Sequence, residues 1–212
     1  SPRSPYTTLQ IPKQGIGEWC HPLHTVDIND AGLRSSVQNG ILNAELGIPF
    51  RTPAEGHNVA FTSLWDNYPD SLEIPLKGKA SRAYLLKAGS TNHMQCHIDN
   101  GVIRVYYKDG TCDVMFLRNP DNWPPIEHIF FEDGLAFNRH TPALYRLRLK
   151  TGEISNNFGE ELGFPGASRE LDGGAAVLLE MPLNPGKKLS HLVLETLSND
   201  VVIGLMSITL QR

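Results

Sequence analysis

The groups in this chain best suited to chemistry are aromatic rings set beside amides and carboxylates in short polar runs. Trp65-Asp66-Asn67-Tyr68-Pro69-Asp70 offers an indole, a phenol, two carboxylates and an amide within six positions. Asn92-His93 and Asn122-Trp123 repeat the association on a smaller scale. Such groups suit a sugar, whose flat C–H faces stack on rings and whose hydroxyls need amide or carboxylate partners. The same residues also have a purely structural reading. Large aromatics usually bury, and Asn, Asp and Pro shape turns.

Other chemistries find less support. Glycoside hydrolysis uses two carboxylates at a defined separation. Asp66, Asp70, Glu127, Glu132, Asp133, Glu160 and Glu161 are candidates, and their spacing singles out no pair. No Gly-x-Ser-x-Gly elbow and no phosphate-cradling glycine loop occurs. His93 with His97, and His21 with His24, would share a face only on a helix, and neither segment reads as helical. No zinc site is therefore expected. Asp27, Asn29 and Asp30, or Asn199 and Asp200, gather oxygens that a structural calcium could use, although ordinary turns account for them equally well. The expectation is a domain without a cofactor, structural calcium being the one exception entertained. Cys20, Cys96 and Cys112 form no Cys-x-x-Cys motif, and the odd count leaves at least one thiol unpaired. Cys96 and Cys112 fall in neighbouring predicted strands where pairing or burial as free thiols are both open.

Strands must position these groups. Val59–Leu64 is extended, and Ser71–Leu76 alternates with Leu72, Ile74 and Leu76 on one side. Ala83-Tyr84-Leu85-Leu86 is apolar on both faces, as a central strand would be. Val102–Tyr107 and Cys112–Phe116 alternate on either side of Asp109-Gly110, a strong hairpin signal. Tyr145–Leu149, Ala175–Met181, Leu189–Leu197 and Val202–Leu210 complete the set. Residues 41–50 read as a loop. No segment sustains a helical period, so parallel βαβ folds are excluded. The fold predicted is all-β, an antiparallel two-sheet β-sandwich of the jelly-roll kind, with Phe61, Leu85, Val105, Val114, Leu147, Leu194, Met206 and Ile208 in its core. In a simple meander, the C-terminal ends of Val59–Leu64, Ala83–Ala88 and Cys112–Leu117 would share one rim. One shallow site follows from that, built from Trp65, Asn67, Tyr68, Asn92, His93, Asn122 and Trp123.

The chain has 212 residues, 40% of them hydrophobic and 20% charged, which describes a globular protein able to bury a core without disulfides. A net charge of −4 and the lack of a basic stripe argue against nucleic acid. No apolar run approaches membrane-spanning length. Residues 1–18, rich in Pro and Gly, read as an extended lead-in, and residues 19–212 as one domain. The start at Ser1-Pro2-Arg3 suggests a piece of a longer protein.

A resemblance narrows the function. Phe61-Thr-Ser-Leu-Trp-Asp-Asn-Tyr-Pro69, the Pro75-Leu76 and Gly78-Lys79-Ala80 that follow, Leu85-Leu-Lys-Ala-Gly-Ser-Thr-Asn92, Tyr107-Lys-Asp-Gly-Thr111 and the final Leu194–Leu210 segment resemble the galactose-binding-like jelly rolls appended to bacterial glycan-degrading proteins. More specifically, the chain from Gly15 to Arg212 is similar to the C-terminal β-sandwich of large, uncharacterised secreted proteins of gut Bacteroidetes that carry a glycosidase-like helical domain upstream. The resemblance implies the fold, a carbohydrate setting, and a secreted, periplasmic or cell-surface location. It supplies no catalytic residues. The leading expectation is a non-catalytic glycan-binding accessory domain whose partners are a carbohydrate and a neighbouring catalytic domain. The alternatives are a sandwich that braces that neighbour and, behind it, a glycoside hydrolase.

Overall fold

The computed structural model describes residues 3–10, 27–44, 46–64, 68–92, 95–130, 134–157 and 168–212. Its strands are β1 (Tyr6–Thr7), β2 (Val37–Gln38), β3 (Ile41–Asn43), β4 (Pro49–Arg51), β5 (Val59–Ser63), β6 (Ser71–Pro75), β7 (Arg82–Thr91), β8 (Gly101–Tyr107), β9 (Cys112–Leu117), β10 (His128–Phe130), β11 (Tyr145–Arg148), β12 (Ile154–Ser155), β13 (Ser168–Glu170), β14 (Ala175–Pro182), β15 (Leu189–Thr196) and β16 (Val201–Gln211). One short helix, α1 (Ala31–Ser35), precedes β2.

A seven-stranded sheet in the order β1-β5-β16-β7-β14-β11-β12 faces a four-stranded sheet in the order β6-β15-β8-β9. The central strands β5-β16-β7-β14 and β6-β15-β8-β9 have the jelly-roll order, in which these strands alternate between sheets along the chain except at the β8–β9 hairpin. The all-β sandwich expected from the alternating runs is the observed fold. Between the sheets lies a core of Leu85, Val177, Leu179, Ile203 and Leu205 from the large sheet against Ile103, Val105, Leu117, Leu192 and Leu194 from the small one.

The large sheet is covered on its other face as well. Leu9, Ile28, Leu33 of α1, Leu42 and Phe50 pack on Phe61, Leu86, Ala88, Leu147, Val202 and Met206. This second core explains why β7 and β16 are apolar on both sides: a strand buried twice has no face to leave polar. The cover is the small sheet β2-β3-β4, so residues 41–50, read as a loop, are a short hairpin whose Leu42 and Phe50 point inward. Ser207 donates to the Arg51 carbonyl at 2.8 Å, fastening that hairpin to β16.

Two further expectations change. Val114 is 46% exposed, not a core residue, and Ile208 is only partly buried. On the edge strand β9, Met115 and Leu117 face the core while Cys112, Val114 and Phe116 face outward. The lead-in is also partly built into the body. Tyr6 and Thr7 pair with Ala60 and Val59, and Leu9 is buried. Residues 11–18 lie outside the described residues.

Candidate functional site at the loop end

The ends of β5, β7 and β9 meet at one end of the sandwich, though not through a meander. Ser63 pairs with Val202 and Thr91 with Val201, so β5 and β7 flank β16 and run parallel to one another. In the facing sheet, Gly101 pairs with both Leu117 and Thr196. The connections that follow β5, β7, β9 and β15 therefore leave the scaffold on the same side. Beneath them, Thr62 and Thr196 hydroxyls bridge the two sheets at 2.7 Å.

Buried polar groups hold these loops in shape. Asn100 is fully buried; its Oδ1 accepts from Thr91 at 2.5 Å, and its Nδ2 donates to the carbonyls of Gln95 and Ile98. Its backbone N–H donates to Leu117, and its carbonyl accepts from Leu197. One asparagine thus ties three loops, and each of these bonds is strong because the site is dry. Asn122 plays the corresponding part in the next loop. Its Oδ1 accepts from the Arg118 N–H at 2.8 Å and its Nδ2 donates to the Phe116 carbonyl at 2.9 Å.

Of the residues singled out from sequence, Trp65, Asn67 and His93 lie outside the described residues. Tyr68 is half-buried, edge-on to Phe61 with centroids 5.7 Å apart and with the Arg3 guanidinium 5.2 Å from its ring. Asn92 is partly exposed at the end of β7 and receives a hydrogen bond on its carbonyl from Gln95. Asn122 is a loop clamp, as described. Trp123 is 0% exposed, so its indole packs the core and offers no face to a ligand. It lies against Gly89, where any Cβ would come within 2.7 Å of the ring.

Below Trp123 is Lys87, also fully buried, with its Nζ 5.0 Å from the indole centroid and without a hydrogen-bond partner among the described residues. Burial holds the Lys87 amine well below the ordinary lysine value. The buried Arg146 differs: its terminal nitrogens donate to the carbonyls of His128, Pro125, Ile126 and Ala175. Burial, with Arg148 nearby, lowers its value to about 9, which still leaves it cationic at neutral pH. Arg146 lines a small crevice with Phe50, Leu86, Leu147 and Leu178 that is otherwise apolar. Because its terminal nitrogens are bonded to backbone carbonyls, it has a structural part to play there.

Two of the residues considered for calcium, Asn29 and Asp30, have protein donors on their side-chain oxygens. Asp30 Oδ2 accepts from Arg34 and Asn58, and Asn29 Oδ1 from the Ala31 N–H. Cys96 and Cys112 form no disulfide with each other, and Asn119 Nδ2 lies 3.5 Å from the Cys96 sulfur. Among the carboxylates named from sequence, Glu127 is buried, 3.7 Å from His128 Nδ1.

What sequence reading missed is a group contributed by three segments. His97, Asp121 and His140 bring ligand-capable atoms within 4.8 Å of one another. The two imidazoles lie 4.9 Å apart with a 37° tilt. His97 is held by its own N–H, which donates to the Asn119 carbonyl at 2.8 Å, and its φ is +55°. Asp121 fixes the third segment: its Oδ1 accepts from the His140 N–H at 2.7 Å and its carbonyl from Thr141 at 2.8 Å. No pairwise spacing in the sequence could signal this group, because only loop closure assembles it.

A scan against known protein families, a search of curated proteins and a search of solved structures find no match for this chain.

Proposed function

We propose that this chain is a non-catalytic binding module, a glycan-binding accessory domain of a larger secreted carbohydrate-active protein, with its ligand on the loop end. The observation that carries this reading is the mixed character of that end. Leu64, Ile98 and Leu197 are exposed there, among loops bearing Asn92, Gln95, His97, Arg118 and His140. A glycan needs both kinds of contact, apolar for its C–H faces and hydrogen-bonding for its hydroxyls. A rigid sandwich carrying variable loops is a common way to present them. The likeness to galactose-binding-like jelly rolls supports the choice of carbohydrate. Trp65 and Asn67 belong to the same connection by sequence.

An array of neutral and acidic plant and host glycans, followed by calorimetry, tests it. Binding should be weak, since an open site with few anchors gains little beyond the cost of association. Trp65→Ala and Ile98→Ala should each weaken it several-fold in folded protein. Absence of any glycan binding, or binding indifferent to both substitutions, would overturn the reading.

One observation favours a bracing role instead. The outer face of the four-stranded sheet exposes Val114 (46%) and Phe116 (41%) beside Tyr106, which stacks on His191 at 4.7 Å. A neighbouring domain could cover that face. If glycans fail to bind and Phe116→Ser weakens association with the upstream domain, bracing becomes the function.

A further inference from the structure

We infer that His97, Asp121 and His140 form a binding site for a divalent transition metal, zinc foremost, on the loop end of the sandwich. The inference is independent of whether that end binds a glycan.

The donor set is two imidazoles and one carboxylate, which suits zinc, nickel, copper or ferrous iron and is a poor match for calcium or magnesium. The three atoms are close enough to converge and not yet in coordination geometry. Ligands around a tetrahedral zinc with bonds of 2.0–2.1 Å stand roughly 3.4 Å apart. The observed limit of 4.8 Å therefore closes by an inward swing of about an ångström. Both histidines are exposed, so their rings have room for that movement. Asp121 is the fixed member, its side chain only 13% exposed.

The donors are also uncommitted. Among the described residues, no hydrogen bond engages the ring nitrogens of His97. His140 Nδ1 stands 3.7 Å from Asp121 Oδ2, beyond hydrogen-bonding distance, so that oxygen and that nitrogen can both turn to a metal. Asp121 Oδ1 accepts from the His140 N–H, which orients the carboxylate from behind as outer contacts do in metal sites. The backbone adds a separate indication. His97 occupies the left-handed region, where a non-glycine residue is uncommon and where strain often accompanies function. Arg118, a cation close to Asp121, is paired with Asp99 at 2.5 Å, which mutes its repulsion of an incoming metal.

Three protein ligands leave at least one position open, and it faces solvent. A bound zinc would therefore carry water or accept an oxygen or nitrogen donor from a ligand on the same end. That arrangement distinguishes the site from a closed structural zinc, which uses four protein ligands.

The test is calorimetric titration of the whole chain with zinc, and with nickel in parallel, beside His97→Ala, Asp121→Asn, His140→Ala and the control His191→Ala. The expected result is one zinc per chain, with affinity lost at least tenfold in each of the three site variants and unchanged in the control. X-ray absorption of the zinc-loaded wild type supplies a readout that needs no variant; a first shell of nitrogen and oxygen with two imidazoles is expected. No saturable zinc binding, binding unaffected by His97→Ala and His140→Ala, or a first shell containing sulfur would each overturn the proposal. Glycan binding measured in the presence of a chelator separates the two hypotheses, since either can fail alone.

Discussion

At the end of the sandwich opposite these loops, strands are joined by short turns whose polar groups are used within the protein. In the β8–β9 turn, Asp109 Oδ1 accepts from the Thr111 N–H and hydroxyl, and its Oδ2 lies 2.9 Å from Lys187 in the β14–β15 turn. Those contacts, led by the Thr111 hydroxyl, hold the Asp109 carboxyl down at about 2. Tyr107 donates to Asp113 and accepts from the Asn184 N–H at 2.7 Å; burial first, then Asp113, pushes its phenol up to about 12. Arg212 closes the same end by donating to the carbonyls of Lys77 and Lys79. At the loop end, by contrast, His97 and His140 stand exposed, and Leu64, Ile98 and Leu197 lie open.

The backbones differ in the same sense. Left-handed positions at the turn end are glycines, Gly78 and Gly110, which adopt them without strain. At the loop end the glycines Gly173 and Gly174 are joined by His97 and Asp200, left-handed positions that carry a side chain. A strained backbone carrying a side chain where glycine would be easier suggests that the side chain matters. One end of this fold closes the scaffold, and the other is positioned by buried groups such as Asn100 while its surface groups stay available.

The largest effect should come from removing the floor of the loop end. Trp123→Ala empties a fully buried indole site and should cost about 3–5 kcal/mol in urea unfolding. A cost under about 1 kcal/mol would mean that the loops rest on something other than this core, and would break the comparison.

Next is Lys87, whose amine has no hydrogen-bond partner among the described residues and lies beneath Trp123. Its folded value is lowered by burial, so between that value and the ordinary one near 10.4 the unfolded chain binds more protons than the folded chain. This group therefore makes stability rise with pH across that window. Above about pH 10 the raised Tyr107 acts oppositely, since the unfolded phenol ionises first. Lys87→Met should stabilise the protein by about 1–3 kcal/mol at neutral pH. It should also flatten the rise in stability between neutral pH and pH 10. Equal pH profiles for variant and wild type would show that Lys87 finds a partner in solution.

The scaffold was legible in sequence because its elements are long enough to carry a pattern. The doubly apolar run of β7 indicated a central strand, and Asp109-Gly110 marked the β8–β9 hairpin, where Tyr106 pairs with Cys112. The face of β9 was not legible. Both of its faces hold apolar residues, and the inward Asp113 looks wrong until Tyr107 is seen to donate to it. The β3–β4 hairpin and β1 have too few residues for any period to register. The aromatic-amide signal at Asn122-Trp123 pointed to a real feature of this end, but to its clamp and floor. The histidine group was invisible for a different reason: its members come from three segments brought together by tertiary closure.

A smaller effect is expected at the turn end. Tyr107→Phe removes a hydroxyl that serves both Asp113 and the Asn184 N–H, and should cost about 1–2 kcal/mol at neutral pH. It should also reduce the loss of stability above pH 10. A neutral substitution would mean that the turns hold without this bond, and the contrast in how the ends use polar groups would weaken.

The smallest effects test the backbone contrast by exchanging residue types between the ends. Gly110 has φ +85° with nothing within 4 Å of an added Cβ, so Gly110→Ala isolates the conformational cost, about 1–2 kcal/mol. His97→Gly should do the reverse. It relieves a left-handed non-glycine residue and gives back part of that gain through a freer unfolded chain, leaving a net stabilisation of at most about 1 kcal/mol. The imidazole would be gone, so a more stable protein that no longer binds zinc is the expected outcome in thermal melts and titration. Should His97→Gly destabilise the fold, the histidine would be supporting its loop structurally. The left-handed backbone would then no longer count as strain kept for function.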